Sequence, residues 1–342
     1  MSSKATIVDV ARLAGVSTAT VSRVMHNPSV VRPATLERVR EVMHDCGYVY
    51  NATAGDFSRR KSTVVGVLIL STTTKTDASV NAAQQVAAEK NFPLIISTSL
   101  FDPALERRHL EQFLQRGVAG VLIIGHLEAN RQLIQELKDR DIPCVFLWEI
   151  FPGTQENYVG INNVDATAAM VTHLLSQGHR RIGFICGINA GVERIVMRYE
   201  GYKKALAAHD IPLDPSLIRS AISTYANGCS AMESFMSMPE PPRCVCCASD
   251  ALAVGAIAAV HKAGLRVPED YCVAGFDNTD ISPYMSPTLS TVDVPGEEMG
   301  RIGMEKLLAL VGDPKAGPFQ KELKTSLVLR ASTCPASRQR QW

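Results

Sequence analysis

The first 46 residues carry the hydrophobic spacing of three short helices. Apolar residues recur every three or four positions in TIVDVARLAG, in STATVSRVM and in PATLERVREVMHDC, which begins at Pro33. Thr6 and Ser17 stand at expected N-caps, and Gly15 supplies a left-handed stop before a tight turn. A helix, a Gly-containing turn and a second helix that starts with short polar residues predict a helix-turn-helix. An ordinary three-helix cap is the alternative interpretation.

From Thr63 onward, short apolar runs alternate with amphipathic stretches. The apolar runs predict strands at 64–70, 93–98, 120–124, 143–147, 181–186, 243–248 and 271–276. The amphipathic stretches predict helices near 79–91, 104–116, 130–140, 163–178, 196–209, 226–237 and 249–264. Apolar strands separated by helices are typical of parallel sheets that are buried on both faces. The number of strands exceeds that of one usual sheet, so we expect two such lobes in tandem.

The composition is that of a folded protein with more than one domain. A chain of 342 residues with 46% hydrophobic and 20% charged residues excludes disordered and low-complexity classes. The sequence has neither a secretory leader pattern nor an apolar segment of membrane-spanning length, which predicts a cytoplasmic protein without a membrane partner. The nine cysteines are scattered through apolar runs and therefore indicate reduced thiols rather than a disulfide framework.

Charge is unevenly distributed along the chain. Residues 1–62 carry nine basic and five acidic side chains, a net charge of +4, whereas the rest carries 26 basic and 29 acidic side chains, a net charge of −3. A small basic head on a slightly acidic body predicts that only the head meets a polyanion such as DNA. Residues 47–62 lack an apolar period, end in a basic run and are interpreted as a linker.

The sequence contains no recognisable catalytic constellation. It lacks the nucleophile elbow, the phosphate-binding loop and the paired-histidine metal motif. Cys244, Cys246 and Cys247 do not have zinc-ligand spacing, and on a strand the first two share a face while Cys247 points away. Packing is thus favoured over metal ligation. We expect no metal, no cofactor and no enzymatic activity, although parallel lobes are compatible with an enzyme.

The stretch TIVDVARLAGVSTATVSRVMHNPSVVRPATLERV resembles the DNA-binding head of the LacI/GalR transcriptional repressors. The resemblance continues through VGVLI, GVLII, GHRRIGFICG, RYEGYKKAL, ASDALAVGA and GFDNTD, which span nearly the whole chain. It implies an α/β protein with a helix-turn-helix head at 1–48, a hinge or linker at 49–62 and a two-lobed, periplasmic-binding-protein-like core with parallel sheets at 63–335. It also implies a homodimer that binds double-stranded operator DNA and a small effector between the lobes.

The hinge departs from the family pattern. Where the family has Ala-Arg-x-Leu, this chain has AGDF at 54–57. The resemblance implies that Phe57 takes the place of the leucine that enters the minor groove, and that Asn51 caps the helix that presents it. Gly55 and Asp56 disfavour such a helix near phosphates, so a flexible linker with Phe57 packed on the core is the alternative. These departures, with HNP in place of Asn-Gly, resemble the gluconate-type repressors of the family.

The resemblance assigns the DNA contacts to the second helix. Thr18 and Ala19 occupy the two principal base-reading positions, and Arg23 occupies the third. Because arginine can bind guanine through two hydrogen bonds, we expect Arg23 to dominate sequence specificity. The remaining residues assigned to the DNA interface, mainly as backbone-positioning groups, are Ser17, Thr20, Ser22, Asn27 and the helix cap Thr6.

The resemblance also implies an effector site between the lobes. The positions that match lining residues of the family cleft are Thr74, Lys75, Thr76, Arg198 and Asp277, and Tyr225 and Ser249 fall near other lining positions. Trp148, directly after the strand PCVFL, is placed to lie against a sugar face. If Lys75 and Arg198 face one pocket, they favour a carboxylate, which makes a sugar acid such as a hexonate the leading effector and a neutral sugar the second. The alternative is that Lys75 is a solvated loop charge.

Three functions are compatible with these features. The favoured one is a ligand-responsive DNA-binding repressor. A periplasmic sugar receptor is disfavoured by the basic head and the missing leader pattern, and a cytoplasmic sugar-binding protein or enzyme with a fused helical cap has no supporting motif. Retention on DNA that falls steeply with salt is expected only of the repressor.

Overall fold

The computed structural model of the chain describes residues 5–48, 62–71, 75–125, 127–187, 191–313, 316 and 318–334. The chain divides into two compact units, Met1–Ser62 and Thr63–Trp342. Within the described ranges, no helix is long and apolar enough to cross a membrane.

The first unit contains three helices, α1 (Ile7–Ala14), α2 (Thr18–His26) and α3 (Pro33–Asp45). Local sequence explains their ends. Thr6 and Asp9 form a reciprocal capping box at the start of α1, and Gly15 ends that helix with a left-handed φ of 61°. Their small core consists of Val10, Ala11, Ala14, Val21, Val24 and Val39. The predicted three-helix arrangement is therefore present.

The second unit begins with a lobe built on a six-stranded sheet, which we call the first lobe. All of its neighbouring strands are parallel, in the order β11-β5-β4-β3-β1-β2. The strands are β1 (Val65–Ile69), β2 (Leu94–Thr98), β3 (Gly120–Ile124), β4 (Cys144–Trp148), β5 (Tyr158–Gly160) and β11 (Gln320–Glu322). The helices of this lobe are α4 (Thr76–Glu89), α5 (Pro103–Arg116), α6 (Arg131–Asp139) and α11 (Gly296–Gly312).

The second lobe is built on a four-stranded parallel sheet in the order β7-β6-β8-β9. Its strands are β6 (Ile182–Cys186), β7 (Ile218–Ser220), β8 (Cys244–Cys247) and β9 (Cys272–Ala274). Its helices are α7 (Asn163–Ser176), α8 (Glu193–Ala207), α9 (Tyr225–Met236) and α10 (Asp250–Lys262). A separate antiparallel pair joins β10 (Thr291–Asp293) to β12 (Ser326–Val328). The predicted α/β architecture with parallel sheets is confirmed.

The two lobes are interleaved in sequence rather than arranged in strict tandem. After β9 the chain returns to the first lobe, where α11 packs on α4 and β4, and β11 pairs with β5. The sequence pattern did not predict α11, because Gly296, Gly300 and Gly303 lower its intrinsic helix propensity. Packing explains the glycines, since a Cβ on Gly300 would lie 2.0 Å from the carbonyl oxygen of Ser79.

The short strands β5, β7, β10, β11 and β12 were also not predicted. Each is only three residues long, so alternation and apolar runs have little length in which to appear. The cysteines of β8 behave as expected of packed side chains. Cys244 and Cys246 belong to one apolar cluster, and Cys247 belongs to another on the opposite face of the sheet.

Candidate functional site

The exposed face of α2 is polar and small at its amino-terminal end. Thr18, Ala19 and Arg23 are exposed, whereas Val21 and Val24 on the other side of the helix are buried in the head core. Helical periodicity alone produces this separation, since the valines are three residues apart. The three side chains assigned to base reading are thus exposed on the side of α2 that faces away from the head core, and two of them lie at its amino-terminal end.

Ser17 organises the start of this helix. Its hydroxyl accepts a hydrogen bond from the Thr20 backbone N–H at 3.1 Å, and its Oγ lies 3.0 Å from the Thr20 hydroxyl. Ser17 and Asn27 are exposed at the two ends, whereas Thr20 and Ser22 are half-buried. The first backbone N–H groups of any helix lack partners within the helix, which favours contact with phosphate at this end.

The described basic side chains of the head are all exposed. They are Arg12, Arg23, Arg32, Arg38 and Arg40. Thr6 is also exposed, and its hydroxyl is occupied by Asp9, with Oγ1 2.7 Å from Oδ2. Asn51 and Phe57, the two hinge residues assigned to DNA, lie outside the described residues.

The core contains a cavity at the carboxyl ends of several strands. Ligands of parallel α/β sheets bind at this edge. Phe101 and Trp148 reach the cavity from the first lobe. The second lobe supplies the other lining residues, which are Gly187, Arg194, Ile195, Arg198, Ala221, Ile222, Ser223, Ala248, Ser249, Leu252 and Asp277. The cavity therefore lies between the lobes.

Arg198, on α8, is buried and held from several sides. Its Nε donates to Asn163 Oδ1 at 3.0 Å, and its Nη1 donates to the carbonyl oxygen of Ala248 at 2.5 Å and lies 3.4 Å from Asp277 Oδ1. The guanidinium carbon lies 3.6 Å from the centroid of the Phe276 ring. Burial lowers the pKa of Arg198 to about 10, so the group stays charged at neutral pH. These contacts fix the orientation of the guanidinium.

Asp277 follows β9 and is buried in a strained backbone conformation. Its φ is 117°, a value that non-glycine residues rarely adopt, and its backbone N–H donates to the carbonyl oxygen of Val292 at 3.0 Å. Burial raises the pKa of Asp277 to about 7, although Arg198 attracts the ionised form. Strain of this kind persists where the surroundings enforce it, and it is common at binding sites.

Asp250, the first residue of α10, holds the segment that carries Asp277. Its Oδ2 accepts from the Thr279 backbone N–H at 2.7 Å and from the Ser282 hydroxyl at 2.7 Å, and its Oδ1 accepts from the Thr291 hydroxyl at 2.6 Å. These bonds tie α10, the loop after β9 and β10 together. Asp250 is therefore a positioning residue for Asp277.

Arg194 and Glu149 form a second buried charged pair, which the sequence analysis missed. Arg194 Nη1 lies 4.0 Å from Glu149 Oε1, and the guanidinium carbon lies 5.7 Å from the centroid of the Trp148 ring. Gly125 leaves room for this guanidinium, since a Cβ there would lie 1.9 Å from Nη1. Arg194 precedes Arg198 by four residues on α8, and this i, i+4 spacing of arginines was the available signal.

Two further assigned residues lie at the cavity. Trp148 is almost fully buried, and its indole Nε1 donates to the Ser79 hydroxyl at 3.1 Å. Ser249 caps α10 by accepting from the Leu252 backbone N–H at 3.3 Å, and its hydroxyl also contacts Ser223 Oγ. The structure thus brings Trp148, Arg198, Ser249 and Asp277 together at one cavity.

The other assigned effector residues are not among the described residues that line this cavity. Lys75 Nζ lies 3.2 Å from Asp293 Oδ1, and its side chain is only 17% exposed. Thr76 is buried and donates to the carbonyl oxygen of Ser71 at 2.8 Å, and Tyr225 is 50% exposed at the start of α9. Thr74 lies outside the described residues. The premise that Lys75 and Arg198 face one pocket is not met, and neither is the alternative of a solvated lysine.

Three residues that line the cavity each carry one buried polar atom that has no hydrogen-bond partner among the described residues. These atoms are Arg194 Nη1, Arg198 Nη2 and Asp277 Oδ2. A buried donor or acceptor without a partner costs about 1–3 kcal/mol, and more when charged. The residues of the cavity wall therefore carry two donors and one acceptor with unused hydrogen-bonding capacity among the described residues.

Comparisons with known proteins agree with this two-part organisation. Residues 6–51 match the model of bacterial regulatory proteins of the lacI family, and residues 171–333 match a periplasmic binding protein-like domain. The chain is 32% identical over 333 residues to the HTH-type transcriptional repressor CytR of Escherichia coli (strain K12), a match that covers 96% of each chain. The chain belongs to the lacI family of bacterial regulatory proteins.

Solved structures of lacI-family proteins have the same fold. The lac repressor dimer bound to operator and the anti-inducer ONPF matches with a TM-score of 0.81 and 26% identity, over 96% of this chain and 99% of that one. The complex of the transcriptional regulator CelR with cellobiose matches with a TM-score of 0.70 and 29% identity, over 96% and 99% of the two chains. This lacI-family protein is a DNA-binding transcriptional regulator and not an enzyme.

Proposed function

We propose that the chain is a repressor that reads its operator with α2. Its affinity for the operator falls or rises when a sugar-like effector binds in the core cavity. The observation that carries the proposal is that Arg194, Arg198 and Asp277 line a cavity between two lobes and each carry a buried polar atom with no hydrogen-bond partner among the described residues. A polyol supplies hydroxyls that both donate and accept, which suits two donors and one acceptor. The relatives named above support a sugar class, since one binds cellobiose.

On the DNA side, the proposal assigns base reading to Thr18, Ala19 and Arg23. All three are exposed, and the first two lie in the first turn of α2, the end that enters the major groove in helix-turn-helix proteins. The residues assigned to phosphate contact or helix positioning are Thr6, Ser17, Thr20, Ser22 and Asn27. Phe57 and Asn51 keep their proposed hinge roles. A DNA-bound regulator of this kind would act in the cytoplasm.

On the effector side, charge balance favours a neutral sugar over a sugar acid. The cavity carries two arginines, Arg194 and Arg198, and each lies beside a buried carboxylate, Glu149 or Asp277. A carboxylate ligand would bring a third acidic group to two arginines that already have one acidic neighbour each, and crowding acidic groups in a buried site is costly. Lys75, the group that favoured an acid, is paired with Asp293 instead. We therefore rank a neutral cyclic sugar first and a gluconate-like acid second.

The proposal also includes a homodimer formed by the core. A single three-helix head makes few contacts with DNA, and two heads on one dimer bind two half-sites with a large gain in effective concentration. The second lobe exposes apolar side chains that a partner would cover, with Tyr284 85% exposed and Ile281 47% exposed. The matching lac repressor structure is that of a dimer. Sedimentation of the full chain at micromolar concentration should give a dimer.

The decisive experiment is calorimetric titration of the full chain with neutral sugars and matching sugar acids, followed by operator binding with and without the ligand that binds. We expect one ligand class to bind and to change operator affinity. Asp277→Asn should abolish ligand binding and leave operator binding without ligand intact. Binding of a ligand that leaves operator affinity unchanged would refute regulation through this cavity.

A further inference from the structure

The segment that ends the described chain places one thiol against another. Cys334 Sγ lies 3.4 Å from Cys272 Sγ, the side chain at the start of β9. The Cys334 backbone N–H donates to the same Cys272 sulfur at 3.2 Å. All nine cysteines of the chain are thiols in this structure. The two cysteines of this pair are 62 positions apart in sequence, yet their sulfur atoms are in contact.

The surrounding backbone holds the two residues side by side. The Val273 N–H donates to the carbonyl oxygen of Ser332 at 2.9 Å, and the Ser332 hydroxyl donates to the carbonyl oxygen of Val273 at 2.6 Å. On the far side, His179 Nε2 donates to the carbonyl oxygen of Cys334 at 2.8 Å. These hydrogen bonds hold the two thiols next to each other, so no rearrangement of the backbone is needed to bring them into contact.

The two thiols differ in exposure. Cys272 is fully buried, whereas Cys334 is half-buried. An oxidant would thus meet Cys334 first, with the Cys272 thiol already in contact behind it. This is the arrangement of an attacked thiol beside a resolving thiol.

We propose that Cys272 and Cys334 form an oxidation site at which a peroxide converts the thiol pair into a disulfide. In the first step the Cys334 thiol takes one oxygen from hydrogen peroxide, giving a sulfenic acid and one water. In the second, the Cys272 sulfur attacks the Cys334 sulfur, the S–S bond forms, the S–O bond breaks and the hydroxyl leaves with the Cys272 proton as a second water. One peroxide is reduced, and the thiol pair loses two electrons. The sulfurs need to approach by about 1.4 Å to reach disulfide length.

The disulfide would close a covalent ring that includes the whole segment of the chain that passes from the second lobe into the first lobe and back. Between Cys272 and Cys334 the chain supplies Asp277, then α11 and β11 of the first lobe, and returns along β12. Cross-linking residues this far apart restricts the unfolded chain substantially. Oxidation should therefore stabilise the core while leaving the individual elements in place.

The test uses the full chain, first reduced and desalted, then treated with hydrogen peroxide. We expect the loss of two titratable thiols, an intact mass lower by two hydrogens and, in non-reducing peptide mapping, one cross-linked species that joins the peptides of Cys272 and Cys334. The melting temperature should rise by roughly 4–10 °C, as expected for a ring of this size, and return on addition of dithiothreitol.

Two variants provide matched controls. Cys334→Ser should abolish the cross-link and the melting shift, whereas Cys229→Ser, which removes a half-buried thiol on α9, should preserve both. Peptide mapping of the unmodified sequence does not depend on either variant folding. Oxidation of Cys334 to sulfinic acid without a cross-link, a cross-link to a different cysteine, or an unaltered Cys334 would each overturn the proposal.

Discussion

Arg198 and Asp277 form a buried ion pair in the wall of the cavity between the lobes, with Nη1 3.4 Å from Oδ1. The pair does not satisfy all of its own hydrogen-bonding groups, since Arg198 Nη2 and Asp277 Oδ2 both lack hydrogen-bond partners among the described residues. Asp277 also has a strained φ that the Asp250 network enforces. Among the described residues, the protein thus holds two oriented groups whose hydrogen-bonding capacity is only partly used.

The first prediction concerns the pH dependence that Asp277 gives to stability. Its folded pKa of about 7 lies above the unfolded value of about 3.9, so folding favours the protonated carboxyl. The stabilising contribution is complete below pH ~4 and is lost as the pH rises to ~7, by up to about 4 kcal/mol at 1.4 kcal/mol per pKa unit. Asp277→Asn cannot ionise and should flatten this part of the profile.

Denaturant unfolding of the full chain at several pH values between 4.5 and 7.5 checks this prediction. Asp210→Asn, at an exposed carboxylate, is the control and should retain the wild-type slope. An Asp277→Asn profile parallel to that of the wild type would show that Asp277 does not titrate in this range.

The second prediction uses two glycines of α11. A Cβ on Gly300 would lie 2.0 Å from the Ser79 carbonyl oxygen, whereas a Cβ on Gly312 would meet nothing within 4 Å. Alanine is ordinarily preferred to glycine in a helix by about 1 kcal/mol. We expect Gly300→Ala to destabilise the core by about 1–3 kcal/mol through overpacking, and Gly312→Ala to be neutral or slightly stabilising. Thermal unfolding distinguishes the two, and equal melting temperatures would contradict the close packing of α4 and α11.

These glycines also illustrate what sequence can and cannot supply. The helices of the head were predictable, because Thr6, Ser17 and Gly15 act on neighbours within a few positions. The helix α11 was not predictable, because the reason for a glycine at position 300 is its close contact with Ser79, more than 200 positions away in sequence. The same distinction between local and distant contacts applies to the residues assigned to the effector site. Arg198 and Asp277 stood in recognisable motifs, whereas the pairing of Lys75 with Asp293 bridges 218 positions.

The third prediction concerns operator specificity. Arg23 is exposed on α2, and an arginine that binds guanine through two hydrogen bonds discriminates by about 1–3 kcal/mol. Arg23→Ala should weaken binding to the selected operator about 5- to 150-fold and binding to random DNA much less. Arg38→Ala, at an exposed arginine of α3, is the control. Equal losses on operator and random DNA would reduce Arg23 to a phosphate contact.

The fourth prediction concerns the hinge. If Phe57 enters the minor groove at the operator centre, it unstacks a base step and bends the DNA. Phe57→Ala should then reduce both the bend, measured by gel permutation, and the affinity for operator. Phe57→Leu restores an apolar wedge and should recover both. A flexible linker predicts that Phe57→Ala changes neither quantity.

The last prediction separates the two effector classes through Arg194 and Lys75. Arg194 lines the cavity, its buried Nη1 has no hydrogen-bond partner among the described residues, and a hydrogen bond from a charged group contributes about 1.5–3 kcal/mol. Arg194→Ala should therefore weaken binding of a neutral sugar about 10- to 150-fold. Lys75, paired with Asp293 away from the cavity lining, should matter little, and Lys75→Ala should change the same affinity less than about threefold.

Calorimetric titration of both variants with a neutral sugar and its acid measures these effects. Arg194→Lys keeps the charge and should recover part of the affinity, which separates a ligand contact from a folding defect. Lys204→Ala, at an exposed lysine paired with Asp165, is the control for loss of a surface charge. Binding confined to the acid and weakened at least tenfold by Lys75→Ala would reverse the ranking, because a lysine that acts on the ligand must leave Asp293 and reach the cavity when the acid binds.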